Sequence, residues 1–395
     1  MLNGAVDIGR VGQYLRAGAG LRDALVSPRR DLRFLGQLRR GFVPLPFDHR
    51  GEPVDPLPPL SERDLPALDG RRVALIGTGG SGALASIIGV ARVLEEAGVT
   101  PSALAVCSGS ALFGIPLAAG MPSGQVAEEV LRLSPRDLVD PDWLALATLP
   151  LRLGRGWAGL LRGDAVERAY RRMLGDVTLG ELAIPVWFPM WNIEHNRLMY
   201  VGSATHPDLP AARAVRMAVA LPVAMQPVRF ETGWWLDGGI VDILPVQPFL
   251  EPAQPCHEHD LCDLAVVVNG FYAEGFEPDQ DPRWRESTAS LLHVAGQTRL
   301  MHHVQLTRRG IADLRRAVPD VIVLTPVDHD LVQGGGLYGE FLDSRRWPQY
   351  MLDGYRAAAD ALDAWRPVQA SRSSTDQVVT TRPGSTPHSV ARAAP

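Results

Sequence analysis

The chain has 395 residues, of which 46% are hydrophobic and 21% charged, and its formal net charge is −5. This composition is typical of a globular protein with a sizeable core, and it gives no reason to expect a nucleic-acid partner. The sequence contains no lysine, which excludes a lysine nucleophile or Schiff base. Three cysteines are too few for a disulfide framework, and no apolar run reaches the roughly 18 residues of a membrane span. We therefore expect a cytoplasmic protein, with contact to a membrane surface left open.

Residues 1–68 are predicted to form an N-terminal extension that ends in a proline-rich connector. The first 40 residues hold eight Arg and three Asp, and seven prolines lie between positions 44 and 68. An Arg-rich segment with loosely spaced apolar residues can make peripheral contact with anionic lipid. It can also pack on the main domain as a helix with solvated Arg side chains. Gly18, Gly20 and Pro28 interrupt any long amphipathic helix and favour the second interpretation.

Residues 69–366 are predicted to form one α/β domain. Apolar runs that read as strands alternate with helical segments, a pattern typical of a parallel sheet. The predicted strands are 72–76, 103–107, 228–236, 264–269 and 321–327, and the predicted helices are 83–97, 111–119 and 284–317. Residues 121–180 are predicted to form a helical cap over the active edge of the sheet. Residues 367–395, rich in Ser, Thr, Pro and Arg, are predicted to be a disordered tail.

A glycine-rich turn follows the first predicted strand. Gly77, Gly79 and Gly82 match the spacing of a dinucleotide-binding fingerprint, and the turn lies between a strand and a helix as that fingerprint requires. Such a site also needs an acidic residue about 20 positions on, at the end of the second strand. No carboxylate lies between Ala97 and Ser110. The free amides of the turn can instead face the oxygen of an attacked carbonyl, and nucleotide binding stays as an alternative.

Two further motifs carry groups that suit acyl transfer. Ser108 stands where the second strand turns into a helix, among small residues that allow a sharp bend. A serine at that place is either an exposed nucleophile or a helix cap. Far downstream, Asp237 precedes Gly238 and Gly239, and it is either a base or part of a hairpin turn.

The order of glycine turn, serine turn and Asp-Gly-Gly resembles the patatin-like acyl hydrolases and the related cytosolic phospholipases, from about Val73 to Pro248. The resemblance implies a three-layer α/β/α fold with a mainly parallel central sheet. It also implies hydrolysis of lipid acyl esters, of phospholipid or neutral lipid, by a Ser108–Asp237 dyad without metal or cofactor. The implied oxyanion-hole residues are Gly77, Gly79, Gly80, Ser81, Gly82 and Gly109.

Two positions depart from the pattern of that family. Val106 stands two positions before the serine, where the family has glycine, and Ser81 stands where the oxyanion loop commonly has Arg or Lys. A member that binds lipid or a partner without turnover is therefore the alternative to a hydrolase. The stretch from Cys256 to Cys262 holds residue types that bind zinc, but its spacing is not that of a standard zinc site and favours a polar surface loop.

Overall fold

The computed structural model describes residues 56–143, 148, 158–250, 262–271, 291–327, 344–367 and 380–381. The Arg-rich segment up to position 55, most of the predicted tail and part of the predicted cap lie outside the described residues. The predictions made for them stay predictions.

The described strands form one large sheet and one small ribbon. They are β1 (Val73–Gly77), β2 (Ala103–Ala105), β3 (Gly159–Leu161), β4 (Val186–Asn192), β5 (Arg197–Gly202), β6 (Val223–Met225), β7 (Val228–Phe230), β8 (Gly233–Asp237), β9 (Leu264–Val268), β10 (Asp320–Leu324) and β11 (Thr380–Thr381). The large sheet has the order β11-β10-β9-β1-β2-β4-β8-β7, with β5 also paired to β4, and β3 and β6 form the ribbon.

Helices lie on both faces of the large sheet. They are α1 (Ser86–Glu96), α2 (Gly109–Ala118), α3 (Ser123–Leu131), α4 (Pro135–Leu138), α5 (Asp164–Leu174), α6 (Ala211–Ala218), α7 (Gln247–Leu250), α8 (Leu291–Ala317) and α9 (Trp347–Ala364). Alternate residues of β1 face two separate cores. Val73 and Leu75 pack in the core that includes α1, α2 and α9, whereas Ala74 and Ile76 pack in the core that includes α8.

The sheet is parallel from β11 through β4 and antiparallel where β4 pairs with β5 and β8 and where β8 pairs with β7. All five residues of β1 and of β9 are buried, as expected for strands covered on both faces. The predicted three-layer α/β/α fold with a mainly parallel central sheet is confirmed.

Some local predictions differ from the structure. The segment 228–236, predicted as one strand, is a hairpin of β7 and β8, because the chain turns at Glu231, whose φ is +50°. The second strand ends at Ala105 and not at Cys107, since the sharp turn before α2 begins there. Between positions 121 and 180 the described residues contain the strand β3 as well as the expected helices.

The second half of the proline-rich connector packs on the domain. Leu57 and Leu68 belong to the buried core. Arg63 donates to Glu96 of α1 at 3.3 Å and to Asp363 of α9 at 3.0 Å. The domain boundary at 68/69 stays a prediction. The contacts of Arg63 attach the residues before that boundary to helices α1 and α9.

Helices α1 and α9 approach each other through two glycines. A Cβ on Gly354 would lie 2.0 Å from Ser86 O, and one on Gly89 would lie 1.9 Å from Met351 O. We expect Gly354→Ala to lower the free energy of unfolding by about 1–3 kcal/mol, because backbone atoms cannot move aside. Gly310→Ala in α8 is the matched control, since its Cβ would meet side chains and not backbone, with Leu244 Cδ2 at 3.1 Å and Val246 Cγ2 at 3.5 Å. Urea unfolding checks this, and equal effects of the two substitutions would contradict it.

Candidate active site

Strands β2 and β8 end facing each other on one edge of β4. Trp187 of β4 pairs with Ala105 of β2 on that edge, and Met190 pairs with Asp237 of β8. Strand β5 pairs with both Trp187 and Met190, so it occupies the opposite edge. Because β2 runs parallel and β8 antiparallel to β4, their carboxyl ends converge across three residues, roughly 10 Å of strand rise. The turn that carries Ser108 and the end of β8 that carries Asp237 therefore meet.

Ser108 occupies a strained turn at the start of α2. Its φ of 50° and ψ of −118° lie outside the regions that most L-residues adopt. It stands at the N-cap position, but its hydroxyl makes no capping hydrogen bond. The side chain is therefore not needed by the helix, and the helix-cap interpretation does not hold. Strained residues of this kind cost about 1–3 kcal/mol and are concentrated at functional sites.

Ser110 holds the turn in this conformation. Its Oγ accepts from Cys107 N–H at 2.9 Å and lies 3.1 Å from Gly77 O and 3.0 Å from Cys107 O, either of which can accept its proton. Ser110 is fully buried, and a Cβ on Gly77 would lie 2.7 Å from Ser110 Cβ. The hydroxyl thus joins the end of β1 to the turn before Ser108.

The bulk of Val106 is accommodated by a glycine in α2. A Cβ on Gly114 would lie 2.5 Å from Val106 Cγ1. Val106 is completely buried, and its N–H donates to Trp187 O at 2.9 Å, which continues the pairing of β2 with β4. The valine at a position where the family has glycine is therefore packed against the helix and belongs to the core.

Asp237 is completely buried at the end of β8. Its N–H donates to Ala220 O at 2.9 Å, and its Oδ1 accepts from Gly239 N–H at 2.8 Å. Gly238 lies against β4, where a Cβ would be 2.6 Å from the carbonyl carbon of Pro189. The backbone that follows Asp237 is thus held against β4 by a contact that only glycine allows.

The Cys107 thiol lies between the glycine-rich turn and the Asp-Gly-Gly turn. A Cβ on Gly79 would lie 3.1 Å from its Sγ, and one on Gly239 would lie 2.8 Å away. The thiol donates a weak hydrogen bond to Asp242 O at 3.7 Å. Burial, followed by the charges of Asp237 and Asp242, raises the pKa of Cys107 well above its usual range. Because thiolates and not thiols are nucleophiles, the Cys107 thiol is not a candidate nucleophile.

Two amides of the glycine-rich turn form hydrogen bonds within the protein. Thr78 N–H donates to Val268 O at 3.0 Å, and Gly79 N–H donates to Ile243 O at 2.8 Å. The Ser81 hydroxyl is buried and accepts from Ala83 N–H at 3.1 Å. Within the described part of the chain no hydrogen bond engages the N–H groups of Gly80, Ser81, Gly82 and Gly109.

The turn touches the start of α2 directly. A Cβ on Gly109 would lie 2.5 Å from Gly80 O and 2.7 Å from Ser81 O. The uncommitted N–H groups of the turn are therefore next to the N-terminus of α2, whose partial positive charge also favours an anion. Of the six residues predicted for an oxyanion hole, Gly77 is part of β1 and Gly79 supports the turn. The N–H groups of the other four make no hydrogen bond to the residues that the structure describes.

A half-buried Tyr–Asp pair lies behind the Asp-Gly-Gly turn. Tyr200 Oη of β5 donates to Asp242, and Asp242 N–H donates to Gly238 O at 2.9 Å. Burial raises the pKa of Asp242 to about 6, although hydrogen bonds from Tyr200 and from the Leu244 N–H oppose the shift.

Metal ligands do not gather in the described residues, where no group of three or more His, Cys, Asp and Glu could hold an ion. Of the Cys256–Cys262 stretch only Cys262 is described. It is buried, and burial raises the pKa of its thiol to about 12.

The packing of Val106 against Gly114 predicts a coupled pair. Gly114→Ala is expected to lower the free energy of unfolding by about 1–3 kcal/mol, because the new methyl group overlaps Val106 Cγ1. Adding Val106→Ala removes that atom, so the double variant should be more stable than the two separate losses imply. Urea unfolding of the four proteins measures the coupling. Strictly additive losses would show that the two residues do not share this space.

The raised pKa of Asp242 predicts that ionisation of its carboxyl lowers the free energy of unfolding as the pH rises. Its carboxyl keeps a proton up to about pH 6 in the folded state and up to about pH 4 in the unfolded state. Its contribution to stability is thus present below about pH 4 and is lost as the pH rises through about 6. Asp242→Asn should raise the free energy of unfolding at about pH 7.5 by the order of 2 kcal/mol, and should have little effect near pH 4.

Urea unfolding at both pH values checks this prediction. Asp176→Asn is the control, since the Asp176 side chain is 96% exposed. An Asp242→Asn effect that is independent of pH would contradict it.

Comparisons with known proteins agree with the fold. The family model described as "Patatin-like phospholipase" matches residues 75–250. Uncharacterized NTE family proteins of Mycobacterium bovis and Mycobacterium tuberculosis are 28% identical over 240 residues, which is 58% of this chain. The chain spans about 60% of the length of these relatives.

Two solved bacterial structures also show similarity. VipD from Legionella pneumophila is 14% identical with a TM-score of 0.42, and the match covers 74% of this chain and 67% of that one. ExoU from Pseudomonas aeruginosa, solved in complex with SpcU, is 15% identical with a TM-score of 0.29, over 62% of this chain and 53% of that one. Likeness at this level carries no argument about the site.

Proposed function

We propose that this chain, in which residues 75–250 form a patatin-like phospholipase domain, is a serine hydrolase that cleaves lipid acyl esters through an acyl-enzyme. The observation that carries the proposal is the meeting of two strand ends on one edge of β4. One end leads into the strained Ser108 turn, and the other bears the buried Asp237. A nucleophile and a carboxylate brought together in this way are the two groups that a Ser–Asp dyad needs.

In this mechanism Ser108 Oγ attacks the ester carbonyl while Asp237 accepts its proton. The oxygen that becomes negative is stabilised by the N–H groups of Gly80, Ser81 and Gly109, together with the N-terminus of α2. The alcohol leaves with the proton that Asp237 returns, and an acyl-Ser108 ester remains. Water then attacks that ester with Asp237 as base, and the fatty acid is released with the hydroxyl restored.

Lipid esters are the substrate class that the domain supports. The glycine-rich turn contributes no cation for a phosphate group, because Ser81 stands where a basic residue is common and its hydroxyl already binds Ala83 N–H. A phospholipid head group would therefore need a basic contact from another part of the chain. Neutral lipid esters need none, so we expect them to be hydrolysed at least as well.

The two alternatives predicted from the sequence gain less support. The valine at position 106 does not crowd the nucleophile, since Gly114 leaves room for it, and this removes one reason to expect an inactive member. A dinucleotide site also needs an acidic residue at the end of the second strand, where it binds the ribose. Here no carboxylate lies between Ala97 and Ser110, the stretch that contains β2 and the turn after it.

Labelling by a fluorophosphonate probe tests the proposal. The probe forms a covalent bond only with an activated serine, so wild type should be labelled and Ser108→Ala should not. Asp237→Asn should lower the labelling rate by about 10²–10⁴-fold, the usual contribution of a general base. Asp242→Asn, which changes a half-buried carboxylate five positions on, is the matched control and should remain labelled. Absent labelling of wild type, or labelling that persists in Ser108→Ala, would refute the hydrolase.

A further inference from the structure

The side chain of Tyr200 reaches the candidate site across β4. Tyr200 of β5 pairs with Pro189 of β4, so these two side chains lie on the same face of the sheet. On the other edge of β4, Gly238 lies against Pro189, where a Cβ on the glycine would be 2.7 Å from Pro189 O. The Tyr200 hydroxyl donates to the carboxylate of Asp242, which follows that glycine in the chain. One side chain thus joins β5 to the backbone that follows Asp237.

The backbone of residues 238–243, which we call the Asp242 segment, contacts the other two turns of the site. Asp242 O accepts a weak hydrogen bond from the Cys107 thiol at 3.7 Å, in the turn that carries the proposed nucleophile. Ile243 O accepts from Gly79 N–H of the glycine-rich turn at 2.8 Å. A shift of the Asp242 segment therefore changes where the proposed oxyanion donors and the proposed base lie relative to the nucleophile.

Two hydrogen-bond donors fix the carboxylate of Asp242, the Tyr200 hydroxyl and the Leu244 N–H. Desolvation, followed by the charge of Asp242, raises the pKa of Tyr200 well above its usual range, so the hydroxyl keeps the proton that it donates. Hydrogen bonds to an ionised carboxylate are roughly twice as strong as neutral ones. Leu244 is a near neighbour of Asp242 in the chain, whereas Tyr200 belongs to a separate strand. Of these two donors, Tyr200 is therefore the one that fixes the Asp242 segment relative to the sheet.

The strained turn at Ser108 depends on such support. A residue with a φ of 50° and a ψ of −118° keeps that conformation only where the surrounding contacts over-determine it. The hydrogen bond from the Cys107 thiol to Asp242 O is one of these contacts, because Cys107 directly precedes Ser108. Loss of the Tyr200 hydroxyl would loosen this contact without removing any atom of the three turns.

We propose that Tyr200 is a positioning residue of the hydrolase, which through Asp242 keeps the glycine-rich turn and Asp237 aligned with Ser108. This inference rests on the function proposed above. Tyr200 takes no part in the proton transfers, and it acts on the geometry in which they occur. A misplacement of roughly 1 Å can cost about 100-fold in rate, so a loosened turn should be visible in the kinetics.

Steady-state hydrolysis of p-nitrophenyl butyrate by the full-length chain tests the proposal. Tyr200→Phe should lower kcat about tenfold, as expected for loss of one hydrogen bond to a charged group, and should change KM by less than about twofold. Formation and hydrolysis of the acyl-enzyme both use the glycine-rich turn, so kcat should fall whichever step limits the rate. Thermal unfolding confirms that each variant is folded.

The matched control is Tyr355→Phe. The Tyr355 hydroxyl of α9 also donates to a carboxylate, that of Glu96 in α1, at 3.0 Å. Its removal therefore deletes the same kind of hydrogen bond at a contact between two helices and should lower the stability of the protein. Its kcat should stay within about twofold of wild type, as for a substitution outside the site. A purely structural role for Tyr200 predicts this same result for Tyr200→Phe.

A second pair of variants asks whether Tyr200 acts through Asp242. Asp242→Ala should lower kcat to a similar extent as Tyr200→Phe. Adding Tyr200→Phe to Asp242→Ala should then lower kcat by less than about twofold more, because the hydrogen bond is already lost. Asp242→Asn keeps an oxygen that can accept the Tyr200 proton, so its kcat should fall less than that of Asp242→Ala.

Three results would overturn the proposal. They are a kcat that Tyr200→Phe leaves unchanged, a rise in KM alone, which would indicate that Tyr200 binds substrate, and strictly additive losses in the Tyr200 and Asp242 variants. Failure of the hydrolase itself is distinguishable. Wild type would then neither hydrolyse the ester nor be labelled by the fluorophosphonate, and this inference would fall with it. Failure of the positioning role alone leaves wild type active and labelled.

Discussion

The candidate site depends on one constraint, the sharing of a single edge of β4 by two strands that run in opposite directions. The Cys107 thiol fills the gap between the two strand ends, where it lies against Gly79 on one side and Gly239 on the other. Larger residues at either glycine would push the turns apart. Backbone packing thus brings together the turn that carries Ser108, the proposed nucleophile, and the strand end that carries Asp237, the proposed base.

The strained backbone conformation of Ser108 is maintained because several contacts hold the same turn. Ser110 ties it to β1, and Gly109 lies directly against the carbonyls of Gly80 and Ser81. These contacts are internal to the protein and are made before substrate arrives. A site whose donors and nucleophile are already fixed has little reorganisation left to do when charge develops.

Parts of this arrangement could be predicted from sequence, and other parts could not. Strands such as β1 and β9 are continuous apolar runs, so their burial on both faces is visible in composition. Strands β4 and β5 are not evident from the sequence. Proline is unusual inside a strand, and Pro189 lies in the middle of β4, whereas the first four residues of β5 are exposed or only half buried. The hydrogen bond from Gly79 N–H to Ile243 O joins residues far apart in the chain, and no local sequence pattern predicts it. The role of Gly114 could have been predicted only from the space that the Val106 side chain needs.

The most direct test of the account is a crystal structure of the fluorophosphonate adduct. We predict a covalent bond at Ser108 Oγ, with the phosphoryl oxygen within hydrogen-bond distance of the N–H groups of Gly80, Ser81 or Gly109. The Asp237 carboxylate should lie within hydrogen-bond reach of Ser108 Oγ. A phosphoryl oxygen that points away from these amides, or an Asp237 carboxylate separated from Ser108 by other side chains, would contradict the dyad.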